Sequence, residues 1–424
     1  MPESPSWGKR AGKGRDRGNV TVQRLPGAAG DRSSSGSLLG EAQALLDDLT
    51  RIRRAVHRVP ELGFEEWETQ RLIVEEVSRI APAASCTPLA GSGVLVTLAE
   101  GRPAVLLRAC IDALPVDEET GAPYASTVAG KSHACGHDGQ VALLLGAVAL
   151  LARAAPPMGV SALFQPAEEV DTGARAAIEA GVLEAVKPDV VLGFHGDPRL
   201  DAGTFGVRPG PVMASITTIH ALVEGRSGHG AEPHLTDDPV TAAASLLLDW
   251  QVALARRVDP RRPVVLSIGR LAGGTTPNVI PGRVEVDGTL RSLDPEVEPG
   301  LRTILEGVAR GVEARTGTTV HLQADRVVPA VVNDPAVAGV AADAVEDLLG
   351  GQALVQAEPT LGGDDFAWYL QHLPGCYVFV GERQQGRSPY GWHDPAYDLD
   401  ERALPLGAAA LAATVHRIAE GGLR

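Results

Sequence analysis

The chain has few cysteines, no long apolar run and no excess of positive charge. Its four cysteines, Cys86, Cys110, Cys135 and Cys376, stand far apart in 424 residues. That spacing excludes a disulfide framework and suits a reducing cytoplasm. The sequence holds no run of about 18 apolar residues, so no transmembrane helix is expected. The opening MPESPSWGKRAGKGRDRGNV lacks the apolar segment of a secretory signal. Net charge is −15 at pH 7. A surface of that sign repels phosphate backbones, which argues against nucleic acid as a partner. It leaves open a small anionic substrate, because the field inside a cleft can oppose the global charge.

What is present reads as a soluble globular protein. Apolar residues make up 44% and charged residues 21%, ordinary for a globular chain. The length predicts two or more domains. Residues 1–38 are rich in Gly, Ser, Lys and Arg and read as a disordered tail. One helix is expected from near Leu38 through EAQALLDDLTRIRRAVHRVPE, stopped by Pro60 and Gly63, and a second at EEWETQRLIVEEVSRI. Two strands, GVLVTLAE and AVLLRACI, follow, linked by the turn GRP. VALLLGAVALLARAA is apolar on every side and so belongs to a buried helix. GVSALFQPAEE and DVVLGFHG are short apolar runs ending in polar residues, the places where α/β sheets build sites. Between 214 and 325 the order strand, helix, strand, strand, helix, strand is the ferredoxin-like pattern. The fold class expected is therefore α/β. One large α/β domain, 39–213 and 326–424, is interrupted by an inserted α+β domain, 214–325.

Six side chains capable of metal chemistry lie at strand ends or in nearby loops: Cys135, His137, Glu168, Glu169, His195 and His393. Thiolate, imidazole and carboxylate are the donors that hold zinc and similar divalent ions. Two adjacent glutamates can divide the work, one binding metal and its neighbour taking a proton from water. Each feature also has an ordinary reading. A Cys-x-His pair can be structural, and a Glu-Glu pair is most often a solvated face. Cys86 and Cys376 read as packing. His57, His220, His321, His372 and His416 read as surface or satisfied core histidines. Asp364 and Asp365 fit either a turn with a helix cap or carboxylates that support the ligands.

Nine segments, in order from about residue 45 to the C-terminus, resemble one family. They are RACIDALP, HACGHDGQVALLLGA, LFQPAEE, GFHGDP, SGHGAEPH, TPNVIPG, GTLRSLD, LGGDDFAWYL and HDPAYDLDERALPLGA. The family is the amidohydrolase branch of the dizinc aminoacylase and carboxypeptidase-G-like metallopeptidases, which includes hippurate and indole-acetyl-amino-acid hydrolases. The resemblance implies a catalytic α/β domain with an inserted lid and dimerisation domain. It implies that Cys135, His137, Glu169, His195 and His393 hold two divalent ions (zinc, or manganese, cobalt or nickel), with Cys135 bridging. It makes Glu168 the general base and Asp112 the partner that orients His137. His229 then stabilises the oxyanion, in the family sometimes from the partner subunit of a dimer. Asn278 and Arg291 anchor the substrate carboxylate, with His234 as a further candidate.

Three positions depart from the branch pattern. Cys110 stands where the motif has its first Asp, Gln140 where a His is usual, and Gly-Asp-Pro follows His195 in place of Val-Trp-Pro. Cys110 can lie near the metals as an extra thiolate, or pair with Cys135 in an inactivating disulfide. The third change alters a pocket wall. The function expected is metal-dependent cleavage of an N-acyl amino acid in the cytoplasm by a homodimer without nucleic-acid or membrane partners. Two alternatives stand beside it: a hydrolase with Cys135 as nucleophile and His137 or His133 as base, and a relative that binds ligand without turnover.

Overall fold

A computed structural model describes residues 32–155, 158–384 and 390–423. Three helices come first, α1 (Arg32–Gln43), α2 (Leu46–Arg58) and α3 (Trp67–Ile80). Strands β1 (Ser85–Leu89), β2 (Gly93–Ala99) and β3 (Ala104–Cys110) follow, then α4 (His137–Ala154), β4 (Gly159–Gln165) and the long β5 (Val190–Asp201). A second unit contains β6 (Ser215–Glu224), α5 (Pro239–Arg257), β7 (Val264–Gly273), β8 (Arg283–Ser292), α6 (Glu298–Thr316) and β9 (Thr319–Val328). The chain returns through α7 (Pro335–Leu349) and β10 (Gly375–Arg383) and closes with α8 (Ala403–Ala419). Of the segment read as a disordered tail, residues 1–31 lie outside the described residues and 32–38 belong to α1.

The large sheet runs β1–β2–β4–β3–β5–β10 and ends in the short strands Phe205–Gly206 and Leu354–Val355. β3 pairs parallel with β4 and with β5, and β5 parallel with β10. β1 and β2 form an antiparallel edge. AVLLRAC and GVSALFQ are buried along their whole length, as expected of central parallel strands covered on both faces. On one face α4 is buried from His137 to Leu151 and packs against α2, α3 and α8.

Two sequence expectations are corrected here. The first helix is two helices: the chain turns at Ala44–Leu45, so that α1 lies against α7 and α8 while α2 lies against α4. No proline or glycine marks this break, and the apolar stripe continues across it, so tertiary packing alone sets the boundary. The strands flanking GRP are not neighbours either. β4 inserts between β2 and β3, pairing antiparallel with one and parallel with the other.

The second unit has its four antiparallel strands in the order β7–β8–β6–β9, the ferredoxin-like arrangement of a βαββαβ chain. Its own core gathers Trp250, Leu246, Val286 and Leu305, and the Trp250 indole N–H donates to the Leu305 carbonyl at 3.0 Å. The α5 start shows local chemistry at work: the Asp238 carboxylate accepts the Val240 N–H at 2.9 Å and Pro239 opens the helix. The outgoing and returning chain pair side by side, Gly210–Met213 with Val331–Asn333. The fold is an α/β domain interrupted by a ferredoxin-like α+β insertion.

Candidate metal centre

β3 has β4 on one side and β5 on the other, so its C-terminal end lies where the connections diverge, the position at which open α/β sheets place their sites. Cys110 is the last residue of β3, and Asp112 follows it. Glu168 and Glu169 come just past β4, and His195 lies on β5. His137 is the first residue of α4, with Cys135 in the loop before it. Gly136 between them has φ +80°, and a Cβ there would sit 2.4 Å from the Tyr397 hydroxyl, so this position requires glycine. Ala167 and His393 hold positive φ without being glycine (+56° and +68°). Such strain costs about 1–3 kcal/mol per residue and collects at functional sites. Ala167 is held by its neighbours: its N–H donates to the buried Glu66 carboxylate at 2.8 Å, and its carbonyl accepts from Gly173.

All five predicted ligands converge. Donor atoms of Cys135, His137 and His195 lie within 4.8 Å of one another, and so do those of Cys135, Glu169 and His393. The two sets share Cys135. Cys135 Sγ is 3.4 Å from His195 Nε2, and His393 Nε2 is 3.4 Å from a Glu169 oxygen. The His137 Nδ1–H donates to the Asp112 carbonyl at 2.9 Å and lies 3.2 Å from the Asp112 carboxylate. His195 Nδ1–H donates to the Gly196 carbonyl at 2.8 Å. In both rings Nδ1 is committed to a carbonyl, which leaves Nε2 as the nitrogen open to a metal. The other Asp112 oxygen accepts the Glu169 N–H at 2.8 Å, so one carboxylate orients two of the five residues.

The electrostatics are those of a site built around positive charge. Five carboxylates (Asp112, Glu168, Glu169, Asp364 and Asp365) meet one buried guanidinium, Arg108, which pairs with Asp364 at 3.0 Å and Asp365 at 2.5 Å. Burial, then the charges of Asp364 and Glu169, push Glu168 well above the usual carboxylate range. Burial carries Glu169 up to about 7 despite the neighbouring His137. Burial also lowers His195 to about 4, leaving its imidazole neutral. His137 Nε2 and Glu169 Oε1 are buried and accept no hydrogen bond from any described residue. Orphaned donors of mixed sulfur, nitrogen and oxygen type, crowded by excess negative charge, fit divalent cations.

The cysteine-nucleophile alternative finds no hydrogen bond from Cys135 to either expected base among the described residues. The ring on Cys135 is His195, which is not one of the two bases expected, and His133 has neither ring nitrogen hydrogen-bonded among the described residues. Burial and the two glutamates hold the Cys135 thiol well above its ordinary range, the opposite of an activated nucleophile.

The lid residues divide into two groups. Arg291, near the end of β8, donates to the Leu361 carbonyl at 2.8 Å. Burial and the Asp364 charge raise Asp171, two residues past Glu169, to about 6, and the Arg291 charge opposes that rise. Arg291 thus borders the centre. His229, Asn278 and His234 sit together at an exposed tip of the insertion. His229 pairs in register with Val279, and its Nδ1 accepts the Ala231 N–H at 3.0 Å, leaving Nε2–H pointing outward. Asn278 is the residue before Val279, and His234 lies in the turn Pro233–Leu235. Among the described residues no hydrogen bond or ion pair joins these three to the centre.

Sequence reasoning missed two buried networks. One is Arg108 with Asp364, Asp365, Gln165, Tyr369 and Tyr377 beneath Glu168. Asp364 also caps the turn that follows, accepting the Phe366 N–H, which is its turn-and-cap reading. The other joins Arg53, His57 and Asp138 behind His137. The altered wall after His195 has a definite shape: buried Asp197 grips Arg199 through two hydrogen bonds of 2.8 and 2.7 Å, and the guanidinium lies 5.1 Å from the centre of the Trp392 ring. Trp392 in turn stands edge-on to His195.

A buried thiol–imidazole–carboxylate cluster at the strand ends of an interrupted α/β domain defines a metallohydrolase class. The chain belongs to peptidase family M20/M25/M40, whose sequence profile matches residues 106–417. It is 37% identical to the N-acetyl-L-cysteine deacetylase of Bacillus subtilis (strain 168) over 84% of each chain. It is 35% identical to the N-acetyldiaminopimelate deacetylase of Shouchella clausii (strain KSM-K16), covering 85% of this chain and 96% of that one. Among solved structures it resembles the Bacillus subtilis YXEP protein, a dinuclear metal binding peptidase from the M20 family. That match has a TM-score of 0.78 and 34% identity, over 89% of this chain and 99% of the other.

Proposed function

We propose that the protein is a metal-dependent amidohydrolase that cleaves an N-acyl amino acid to a carboxylate and a free amino acid. The observation that carries this reading is the convergence of Cys135, His137, Glu169, His195 and His393 into two donor sets that share one sulfur. Two divalent cations, zinc being the best match to a sulfur–nitrogen donor set, supply carbonyl polarisation and acidify water. Glu168 takes the proton of the attacking water and delivers it to the leaving nitrogen, the role open to a buried carboxylate beside the donor cluster. Asp112 keeps His137 in one tautomer and fixes the Glu169 backbone. Arg291 receives the substrate carboxylate at the lid side of the cleft.

The working unit in this reading is a homodimer formed through the 214–325 insertion. The exposed tip bearing His229, Asn278 and His234 then serves the centre of a second copy, where the outward Nε2–H of His229 stabilises the oxyanion. Apolar side chains on the insertion support such pairing: Leu248 is 70% exposed, Val252 61% and Leu271 53%, the first two on one face of α5 and the third on edge strand β7. Four free thiols accord with a reducing cytoplasm. The acyl groups to test first are small ones, as in the deacetylases named above. The test is a panel of N-acyl amino acids assayed with the purified protein before and after chelation and metal return. Hydrolysis that a chelator abolishes and metal restores is expected; hydrolysis indifferent to the chelator overturns the reading.

A further inference from the structure

The wall that follows His195 carries a cation, Arg199, near the end of β5. Its position is set locally. The buried Asp197 carboxylate accepts the Arg199 backbone N–H at 2.9 Å, its Nε–H at 2.8 Å and its Nη2–H at 2.7 Å. The side-on edge of the guanidinium is thereby taken. The end-on edge stays open: Nη1 makes no hydrogen bond or ion pair among the described residues, and the side chain is half-exposed. Exposed Glu358 acts on Arg199 through its field alone, without an ion pair. The guanidinium lies 5.1 Å from the centre of the Trp392 ring, a contact that favours a cation. Trp392 stands edge-on to His195 with ring centres 5.4 Å apart. Its indole N–H donates at 2.8 Å to the Gly196 carbonyl, which also accepts His195 Nδ1–H. One indole, braced against His195 and followed in the chain by His393, thus separates the guanidinium from the donor cluster. A half-exposed ion pair adds little to stability. What this one supplies is an arginine with a fixed direction and an unused fork beside the centre.

We propose that Arg199 determines specificity by receiving a second carboxylate of the substrate, so that N-acyl amino acids with two acid groups are favoured over those with one. The proposal rests on the amidohydrolase reading above and deepens it. There Arg291 takes the carboxylate of the amino acid, and a monoacid has no use for another cation. The centre is rich in carboxylates, so a dianion approaching it is repelled unless each of its charges meets a positive one. The end-on edge of Arg199 offers parallel N–H donors to a planar carboxylate, a geometry lysine lacks. Clamped to Asp197, the guanidinium has little freedom left to lose on binding. The second acid can sit on the acyl group, as in a succinyl conjugate, or on the amino-acid side chain, as in an N-acyl glutamate. Both present the same group to Arg199.

The test uses the full-length, metal-loaded protein and two matched substrate pairs, each differing by one charge. The first is the N-succinyl derivative of the amino acid that the panel above favours, against its terminal amide. The second is glutamate against glutamine, both carrying the acyl group that the panel favours. The wild type should show a kcat/KM for the acid about tenfold or more above that for the amide in at least one pair, and that pair tells which half of the substrate bears the group. Arg199→Met should lower this acid-to-amide ratio by about 10- to 100-fold, chiefly through KM. Arg199→Lys keeps the charge without the fork and should fall between the two. A wild type that prefers the acid in neither pair overturns the proposal. So does an Arg199→Met ratio equal to that of the wild type, because a merely structural role lowers acid and amide together and leaves the ratio where it was. Hydrolysis of no member of the panel or the pairs, or hydrolysis that survives chelation, instead defeats the amidohydrolase reading itself, so the two failures are distinguishable.

Discussion

Removing the Asp112 carboxylate tests how the centre is held. Its two oxygens do different work, one beside the His137 ring at 3.2 Å and one accepting the Glu169 N–H at 2.8 Å. The Asp112 carbonyl accepts His137 Nδ1–H at 2.9 Å and survives any side-chain change, so the ring keeps its tautomer. What Asp112→Ala removes is the negative charge beside His137 and the acceptor for a buried N–H. Partners of ligating histidines are worth about 10–100-fold in metal affinity. A stranded N–H costs about 1–3 kcal/mol. Asp112→Ala should therefore weaken metal binding by about 100-fold, or ~2.7 kcal/mol. Asp112→Asn keeps an oxygen for the Glu169 N–H and should lose only about tenfold. Competition against a chromophoric zinc chelator on stripped protein measures both. An Asp112→Ala protein that binds zinc within about threefold of wild type refutes the reasoning.

Other outcomes follow from the same structure. Glu168→Gln should lower kcat by about 10²–10⁴ while leaving metal stoichiometry unchanged, measured by steady-state kinetics beside elemental analysis. Arg53→Met removes the guanidinium from buried Asp138, 2.6 Å away, and should cost about 3–5 kcal/mol in urea unfolding. Burial pushes the His57 imidazolium down, but the charge and hydrogen bond of Asp138 outweigh it and carry its pKa from 6.5 up to about 9. The stability this supplies is complete below 6.5 and drains away as pH rises through 9. The difference in unfolding free energy between wild type and His57→Gln should therefore shrink over that interval; a constant difference contradicts the assignment. His229→Ala should reduce kcat with little change in metal content, and mixing it with a Glu168→Gln protein should restore part of the activity if His229 serves a second copy.

Periodicity and motif order made the architecture legible where local pattern and tertiary packing agree. The βαββαβ order of the insertion and the apolar runs of β3 and β4 are of that kind. The break at Ala44–Leu45 and the insertion of β4 between β2 and β3 were not legible, because both are decided by which distant surface a segment meets. The same holds at the centre. Residue chemistry singled out Cys135, His137, Glu168, Glu169, His195 and His393, since thiol, imidazole and paired carboxylates at strand ends suggest metal. Arg108 and His57 gave no such signal. Arginine inside an apolar strand and a histidine on an amphipathic helix acquire meaning only from Asp364, Asp365 and Asp138, which are far away in sequence. A buried Arg in AVLLRAC is nonetheless a clue, because a guanidinium within a central strand requires carboxylates nearby.

The most direct measurement is a calorimetric zinc titration of the full-length, chelator-stripped protein, with hydrolysis of an N-acetyl amino acid followed at each step. Two ions bound per chain, and activity returning as they bind, is the predicted result. Stripped protein that hydrolyses at the full rate, or that takes up no zinc, contradicts the account.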